Sequence, residues 1–136
     1  MKTKLKLCLS LVMVMFLTGC GSTNATTPVK STGSTYQKIT AQEAQVRMKE
    51  NPKAIVLDVR TKEEYAAGHI PKAICVPNET IDKTPPAELP DKKAEILVYC
   101  RSGNRSRQAA NKLIAMGYTS VFDFGGIGDW PGEIVK

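Results

Sequence analysis

Cys100 stands in the sequence context of an activated nucleophile. It ends an apolar stretch, Glu95–Cys100 (EILVYC), and the residues RSGNR separate it from a helical pattern that begins at about Ser106. At the carboxyl end of a parallel strand, a loop that leads into a helix directs backbone N–H groups and the positive end of the helix dipole at an anion. A thiolate is such an anion, and Arg101 and Arg105 are expected to lower the cysteine pKa further. We therefore predict that Cys100 is a nucleophile, against the alternative of a buried structural cysteine beside a solvated loop.

The composition of the chain limits the kinds of reaction that Cys100 could perform. The chain of 136 residues contains one histidine, His69, which argues against histidine-based triads and most catalytic zinc sites. We predict no bound metal and no organic cofactor. The formal charge of +6 falls to +3 once Lys2, Lys4 and Lys6 are set aside with the amino-terminal segment, so nothing indicates a nucleic-acid partner.

The amino-terminal segment has the pattern of a secretory signal. Three lysines precede an apolar run, Leu7–Leu17, which as a helix would span about 16 Å, roughly half a bilayer core. A signal peptide is therefore favoured over a membrane-spanning helix. The tetrad Leu17–Cys20 (LTGC) resembles the lipobox of bacterial lipoproteins, whereas the alternative is a plain signal peptide cut at another small residue.

The lipobox resemblance implies a division of the chain into three parts. Residues 1–19 are then a lipoprotein signal peptide, and Cys20 carries the lipid. Residues 20–35, rich in Gly, Ser and Thr, form a flexible tether to a domain of residues 36–136. We expect an extracytoplasmic protein whose lipid anchors it to a bacterial membrane, either on the outer face of the cell membrane or facing the periplasm.

Short apolar runs alternate with helical patterns from residue 36 onward, which predicts an α/β fold with a parallel sheet. Strands are predicted at Ala54–Val59, Ala73–Val76, Glu95–Tyr99 and Ser120–Phe124. Helices are predicted at Ala41–Glu50, Thr61–Ala67 and about Ser106–Met116. The segment Asn78–Lys93 contains several prolines and charges, so it is expected to be a surface loop with one helical turn.

Four motifs resemble those of single-domain rhodaneses and follow that family's order. They are Val56–Arg60 with Glu64–Tyr65, Gly68–Pro71 with Ala73, the loop Cys100–Ser106, and Gly125–Gly126 with Trp130. The resemblance covers about residues 36–133 and implies a rhodanese-like doubly wound fold, with a central five-stranded parallel sheet flanked by helices. One departure is Lys72, which stands where the family usually has glycine.

The resemblance also implies sulfur transfer. The Cys100 thiolate would take the outer sulfur of a small anionic donor such as thiosulfate, become a persulfide, and pass the sulfur to cyanide or a thiol. The loop residues expected to hold the donor and the persulfide are Arg101, Ser102, Gly103, Asn104 and Arg105. In an oxidising compartment we also expect a partner that keeps Cys100 reduced or accepts its sulfur.

Four further features favour a structural interpretation. Asp58 and Arg60 are expected to brace the active-site side of the domain through ionic hydrogen bonds. His69 is expected to be a scaffold residue, and Cys75 a core residue whose minority role is redox pairing with Cys100. The Gly125–Gly126 pair is interpreted as a tight turn.

Two other functional classes remain open at this point. Cysteine phosphatases and arsenate reductases use a related anion-binding loop, but the phosphatase signature has an arginine six positions after the cysteine and usually a histidine before it. Here Ser106 and Tyr99 occupy those positions. The second class is a binding module or thiol-redox carrier without turnover, against which the cysteine and both loop arginines argue.

Overall fold

The structure, a computed structural model, describes residues 35–136. The predictions for the signal peptide, Cys20 and nearly all of the tether lie outside these residues. The described part forms one five-stranded parallel sheet in the order β1-β5-β4-β2-β3. Its strands are β1 (Gln37–Lys38), β2 (Ile55–Asp58), β3 (Ile74–Cys75), β4 (Ile96–Cys100) and β5 (Val121–Gly126). The predicted five-stranded parallel sheet is confirmed.

Three α-helices connect the strands: α1 (Ala41–Glu50), α2 (Lys62–Ala67) and α3 (Asn104–Ala115). Two short 3₁₀-helices follow β3 and β5, at Asn78–Thr80 and Ile127–Asp129. Among residues 35–136 no helix has the length and apolar character needed to cross a membrane.

Capping explains where the first two helices begin. Thr40 and Glu43 form a capping box at the start of α1, and Thr61 and Glu64 form a second one at the start of α2. The third helix begins two residues before the predicted Ser106. Gly103 adopts a left-handed conformation with φ of 93°, which turns the chain from the loop directly into α3. Asn104 and Arg105 are therefore helical residues, contrary to the prediction that they belong to the loop.

The sheet is buried on both faces, which is why its central strands read as continuous apolar runs. Every residue of β4 is buried. Alternate side chains pack to opposite faces, so that Val98 joins the cluster that contains Leu113 of α3, whereas Leu97 joins the cluster that contains Ala44 of α1. Two apolar layers thus hold β4, and the cysteine at its end, in the middle of the domain.

The sequence did not predict the strand β1, because both of its residues are exposed and neither belongs to an apolar run. It also placed the end of β5 at Phe124, whereas the strand continues through Gly125 and Gly126. Val98 pairs with Asp123 and Tyr99 with Gly125, so Phe124 is the extra residue of a bulge. The glycine pair is thus part of a bulged strand, and the tight-turn interpretation is wrong.

Among residues 35–136, Lys72 is the one residue other than glycine that has a positive φ, which is 66°. An L-residue is strained there, whereas glycine is not, which gives a physical reason for the family's glycine. We expect Lys72→Gly to raise the free energy of unfolding by about 0.5–1 kcal/mol, measured by urea denaturation. Lys53→Gly, at an exposed residue with negative φ, should instead lower it slightly; equal effects of the two variants would contradict this explanation.

Candidate active site

Cys100 lies at the carboxyl end of β4, the middle strand of the sheet, and is 1% exposed. A loop of three residues, 101–103, separates it from the amino end of α3. Cys100 is therefore the last residue of a buried strand, and it lies close to the positive end of a twelve-residue helix. This is the arrangement that the sequence pattern predicted for an anionic sulfur.

Backbone groups of the loop surround the Cys100 sulfur. The Gly103 N–H donates a hydrogen bond of 3.0 Å to Sγ, and the Ser106 Oγ lies 3.6 Å from Sγ. Burial raises the pKa of the Cys100 thiol, but hydrogen bonds from the backbone and hydroxyl of Ser106 and from the Ser102 and Gly103 amides outweigh it, and the net pKa is lowered. The site thus favours a thiolate without a histidine.

Arg101 and Arg105 have different surroundings from those that the sequence suggested. Arg105 donates to both carboxylate oxygens of Glu64, at 2.6 and 2.9 Å, whereas the side chain of Arg101 is exposed. The main contributions that lower the Cys100 pKa come from Ser106 and the loop amides, and not from these guanidinium groups. Asn104 is also exposed, and its Oδ1 accepts a hydrogen bond from Arg107 on the next turn of the helix.

The Glu64–Arg105 pair connects α2 to the start of α3. Hydrogen bonding with Arg105 is the main reason that the pKa of Glu64 falls to about 2. Because this pKa lies below the unfolded value of about 4.5, the pair stabilises the fold above pH 4.5, and the stabilisation disappears as the pH falls towards 2. Both side chains are about one quarter exposed, so we expect a contribution of about 1–2 kcal/mol near neutral pH.

The variant Glu64→Gln tests this pH dependence. Its free energy of unfolding should be about 1–2 kcal/mol lower than that of the wild type at pH 7. The difference should become small near pH 2, where about half of Glu64 is protonated in the folded protein, and should vanish below that pH. A difference that stayed constant between pH 7 and pH 2 would show that the loss arises from packing rather than from the charge of Glu64.

The active-site loop packs directly against the end of β5. A Cβ atom on Gly126 would lie 2.6 Å from the Arg101 carbonyl oxygen, and one on Gly103 would lie 3.5 Å from Gly125 Cα. The Ser106 hydroxyl lies 3.2 Å from the Gly103 carbonyl oxygen and 3.5 Å from that of Gly125. Glycine at position 126 therefore permits a backbone approach that sets the shape of the loop, a function that the sequence analysis did not assign to it.

Asp58, the last residue of β2, and Arg60 form a buried network beside the end of β4. Arg60 Nη2 donates 2.6 Å to Asp58 Oδ2 and 2.7 Å to the Gly68 carbonyl oxygen. The Tyr99 hydroxyl donates 2.6 Å to the same carboxylate, and its pKa is raised by burial and by that bond. Because Tyr99 immediately precedes Cys100, the network ties the ends of β2 and β4 together. This geometry is what a bracing role requires.

His69 and Cys75 lie outside the cradle around the Cys100 sulfur. The ring of His69 stacks on Tyr65 at 3.7 Å, and its Nδ1 lies 3.0 Å from the Tyr65 carbonyl oxygen. Cys75 is only partly buried, so the prediction of a core residue is wrong, and burial raises its pKa. Cys75 of β3 pairs with Asp58 of β2, and Asp58 in turn pairs with Tyr99 of β4. Two strand spacings therefore separate the Cα atoms of Cys75 and Cys100 by about 10 Å, which is too far for a disulfide.

Comparisons with known proteins agree with the resemblance that the sequence motifs indicated. The model of the rhodanese-like domain family matches residues 40–133. The thiosulfate sulfurtransferase PspE of Escherichia coli is 38% identical over 73 residues, which is 54% of this chain and 70% of that protein. The adenylyltransferase and sulfurtransferase UBA4 of Candida albicans is 44% identical over 89 residues, 60% of this chain, and the alignment spans only 20% of that larger protein.

A solved structure gives the same result for the fold. A rhodanese with anions from E. coli is 36% identical and superposes with a TM-score of 0.57, covering 61% of this chain and 98% of that one. The aligned part of this chain thus accounts for almost the whole of that domain.

Proposed function

The chain belongs to the rhodanese-like domain family, and we propose that it is a sulfurtransferase whose sulfur carrier is a persulfide on Cys100. Its sulfurtransferase relatives support the general activity. The observation that carries the proposal is the 3.0 Å hydrogen bond from the Gly103 N–H to the Cys100 Sγ, at the amino end of α3. This hydrogen bond directs a backbone donor at the sulfur that is to carry the negative charge.

In the first half-reaction, the Cys100 thiolate attacks the outer sulfur of thiosulfate. A new S–S bond forms, the bond between the two thiosulfate sulfurs breaks, and its electron pair leaves with sulfite. The negative charge moves to the outer persulfide sulfur, where the amides of the loop stabilise it without reorganising. The exposed Arg101 side chain at the loop attracts the dianionic donor to this point.

In the second half-reaction, a nucleophile attacks the outer sulfur of the persulfide. Cyanide would leave as thiocyanate, and a thiolate would leave as a new persulfide. In both cases the electron pair of the broken S–S bond returns to Cys100, and the thiolate is regenerated in its cradle. The cycle needs no metal and no organic cofactor.

A phosphatase or arsenate reductase is the competing enzyme class. Its signature would place an arginine at position 106, but that position is a fully buried serine beside the sulfur, and Arg105 is paired with Glu64. The assay that separates the classes supplies thiosulfate with cyanide, and p-nitrophenyl phosphate or arsenate, to the same preparation. We expect thiocyanate and no phosphate release; Cys100-dependent phosphate release or arsenate reduction without thiocyanate would overturn the proposal.

We further propose that the protein is anchored outside the cytoplasm by lipidation of Cys20. The support for this is the resemblance of Leu17–Cys20 to a lipobox. Cells that express the chain and receive a labelled fatty acid should yield a labelled membrane-bound protein, whereas Cys20→Ala should be unlabelled. An unlabelled wild type, or a labelled Cys20→Ala variant, would contradict the lipid assignment.

A further inference from the structure

A groove opens beside the active-site loop and is much larger than a small sulfur donor. Its volume is about 490 Å³, and it is lined by Ser102 and Gly103 of the loop, Gly125 and Gly126 of β5, Lys38–Gln42, Phe124 and Asp129. A water molecule occupies about 30 Å³ in the liquid. Thiosulfate has only a few times as many heavy atoms as water, so it would fill only part of the groove. The remaining space adjoins the residue whose N–H holds the Cys100 sulfur.

Opposite charges stand in this groove on two different segments. Within residues 35–136, the charged side chains that line it are Lys38, from β1, and Asp129, from the 3₁₀-helix after β5. Lys38 is 66% exposed and has one long contact, 3.5 Å, to the buried carboxylate of Asp123. Asp129 is exposed. The groove thus offers one ammonium and one carboxylate to its occupant.

The other side chains that line the groove are uncharged: Thr40, Gln42 and Ser102 are polar, and the rest are apolar residues or glycine. Gly103, Gly125 and Gly126 supply backbone, and a Cβ on Gly125 would meet no atom within 4 Å. An occupant can therefore lie close to the backbone beside the loop. Selection by charge therefore depends on Lys38 and Asp129. Together, one positive and one negative side chain favour a ligand that carries both complementary charges and disfavour a ligand that lacks them.

We propose that this groove binds the sulfur acceptor, and that the acceptor is an amino-acid or short-peptide thiol that carries both a carboxylate and an ammonium group. The carboxylate pairs with Lys38 and the ammonium with Asp129, and this rests on the proposed Cys100 persulfide. The acceptor thiolate attacks the outer persulfide sulfur, a bond forms between these two sulfurs, and the bond to Cys100 Sγ breaks. The electron pair returns to Cys100, so the step needs no external oxidant or reductant.

The test uses four related acceptors: cysteinylglycine, its carboxyl-terminal amide, its N-acetyl derivative, and the doubly blocked compound. Formation of the Cys100 persulfide from thiosulfate is first verified by intact mass in every variant. Its decay with each acceptor is then followed in single turnovers at equal thiolate concentration. If no persulfide forms, the proposed function fails; if it forms, only the acceptor proposal is being tested.

For the wild type, we expect blocking either charge to weaken acceptor binding about two- to fivefold, as for a solvent-accessible ion pair. Lys38→Gln should weaken only the acceptors with an unblocked carboxylate, and Asp129→Asn only those with an unblocked ammonium. Lys38→Arg should restore binding. The control variants Lys53→Gln and Asp82→Asn, both exposed and outside the groove, should behave as wild type.

Two results would overturn the acceptor assignment. One is equal reactivity of all four compounds with the wild-type persulfide, a comparison that requires no variant to fold. The other is an effect of Lys38→Gln or Asp129→Asn that is the same for blocked and unblocked acceptors, since a merely structural change would not distinguish them.

Discussion

Replacing Cys100 by serine should lower the rate of thiocyanate formation from thiosulfate and cyanide by at least about 10³-fold. The cradle around the sulfur lowers the pKa of a thiol that is already acidic enough to ionise, whereas a serine hydroxyl in the same place stays protonated and cannot form a persulfide. The change is nearly isosteric, and the Gly103 N–H retains an acceptor. The melting temperature should therefore be almost unchanged.

Cys75→Ser is the matched control for this prediction. Cys75 is the other cysteine among residues 35–136, and it lies at a partly exposed position on β3, away from the loop. Its replacement should leave the rate at the wild-type level. Comparable losses in both variants would mean that the two thiols act together. Residual turnover in Cys100→Ser within tenfold of wild type would contradict the assignment of the nucleophile.

Gly126→Ala should have the second-largest effect, although it adds a single methyl group. Its Cβ would lie 2.6 Å from the Arg101 carbonyl oxygen and 3.2 Å from Ser102 Cα, and both are backbone atoms that cannot rotate away. The active-site loop must therefore move. We expect kcat/KM to fall about 10- to 100-fold and the free energy of unfolding to fall by about 1–3 kcal/mol.

Gly128→Ala provides the comparison for that variant, because a Cβ there would meet no atom within 4 Å. It should change neither kcat/KM nor stability by a measurable amount. The pKa of Cys100 distinguishes loop displacement from simple destabilisation. In Gly126→Ala, alkylation of the thiol should require a higher pH, because the loop amides no longer point at Sγ. Wild-type activity and pH dependence in Gly126→Ala would refute the close-packing explanation.

Local patterns predicted most of the elements that position the site. The apolar run Ala54–Val59 contains β2, the run Glu95–Tyr99 matches β4 to within one residue, and α1 has the predicted bounds. The two strands are marked by continuous apolar runs, and the start of α1 is marked by a capping box. The strand β1 was missed because two exposed polar residues become a strand only through pairing with Phe122 and Asp123, far along the chain.

The details of the site depended on contacts that spacing alone does not encode. The surroundings of the Cys100 sulfur could be predicted because its neighbours in sequence, Ser102, Gly103 and Ser106, are also its neighbours in space. In contrast, Glu64 reaches Arg105 across 41 positions of sequence. A charge that looks available in the loop is therefore already paired, and only the tertiary structure reveals this.

Mass spectrometry of the protein after brief exposure to thiosulfate is the decisive test of sulfur transfer through Cys100. We expect that one sulfur atom is added, that it resides on Cys100, and that one sulfite is released for each protein modified. Addition of a thiol acceptor should remove the sulfur and return the original mass. A folded, reduced protein that gains no sulfur, or gains it equally in Cys100→Ser, would contradict sulfur transfer through Cys100.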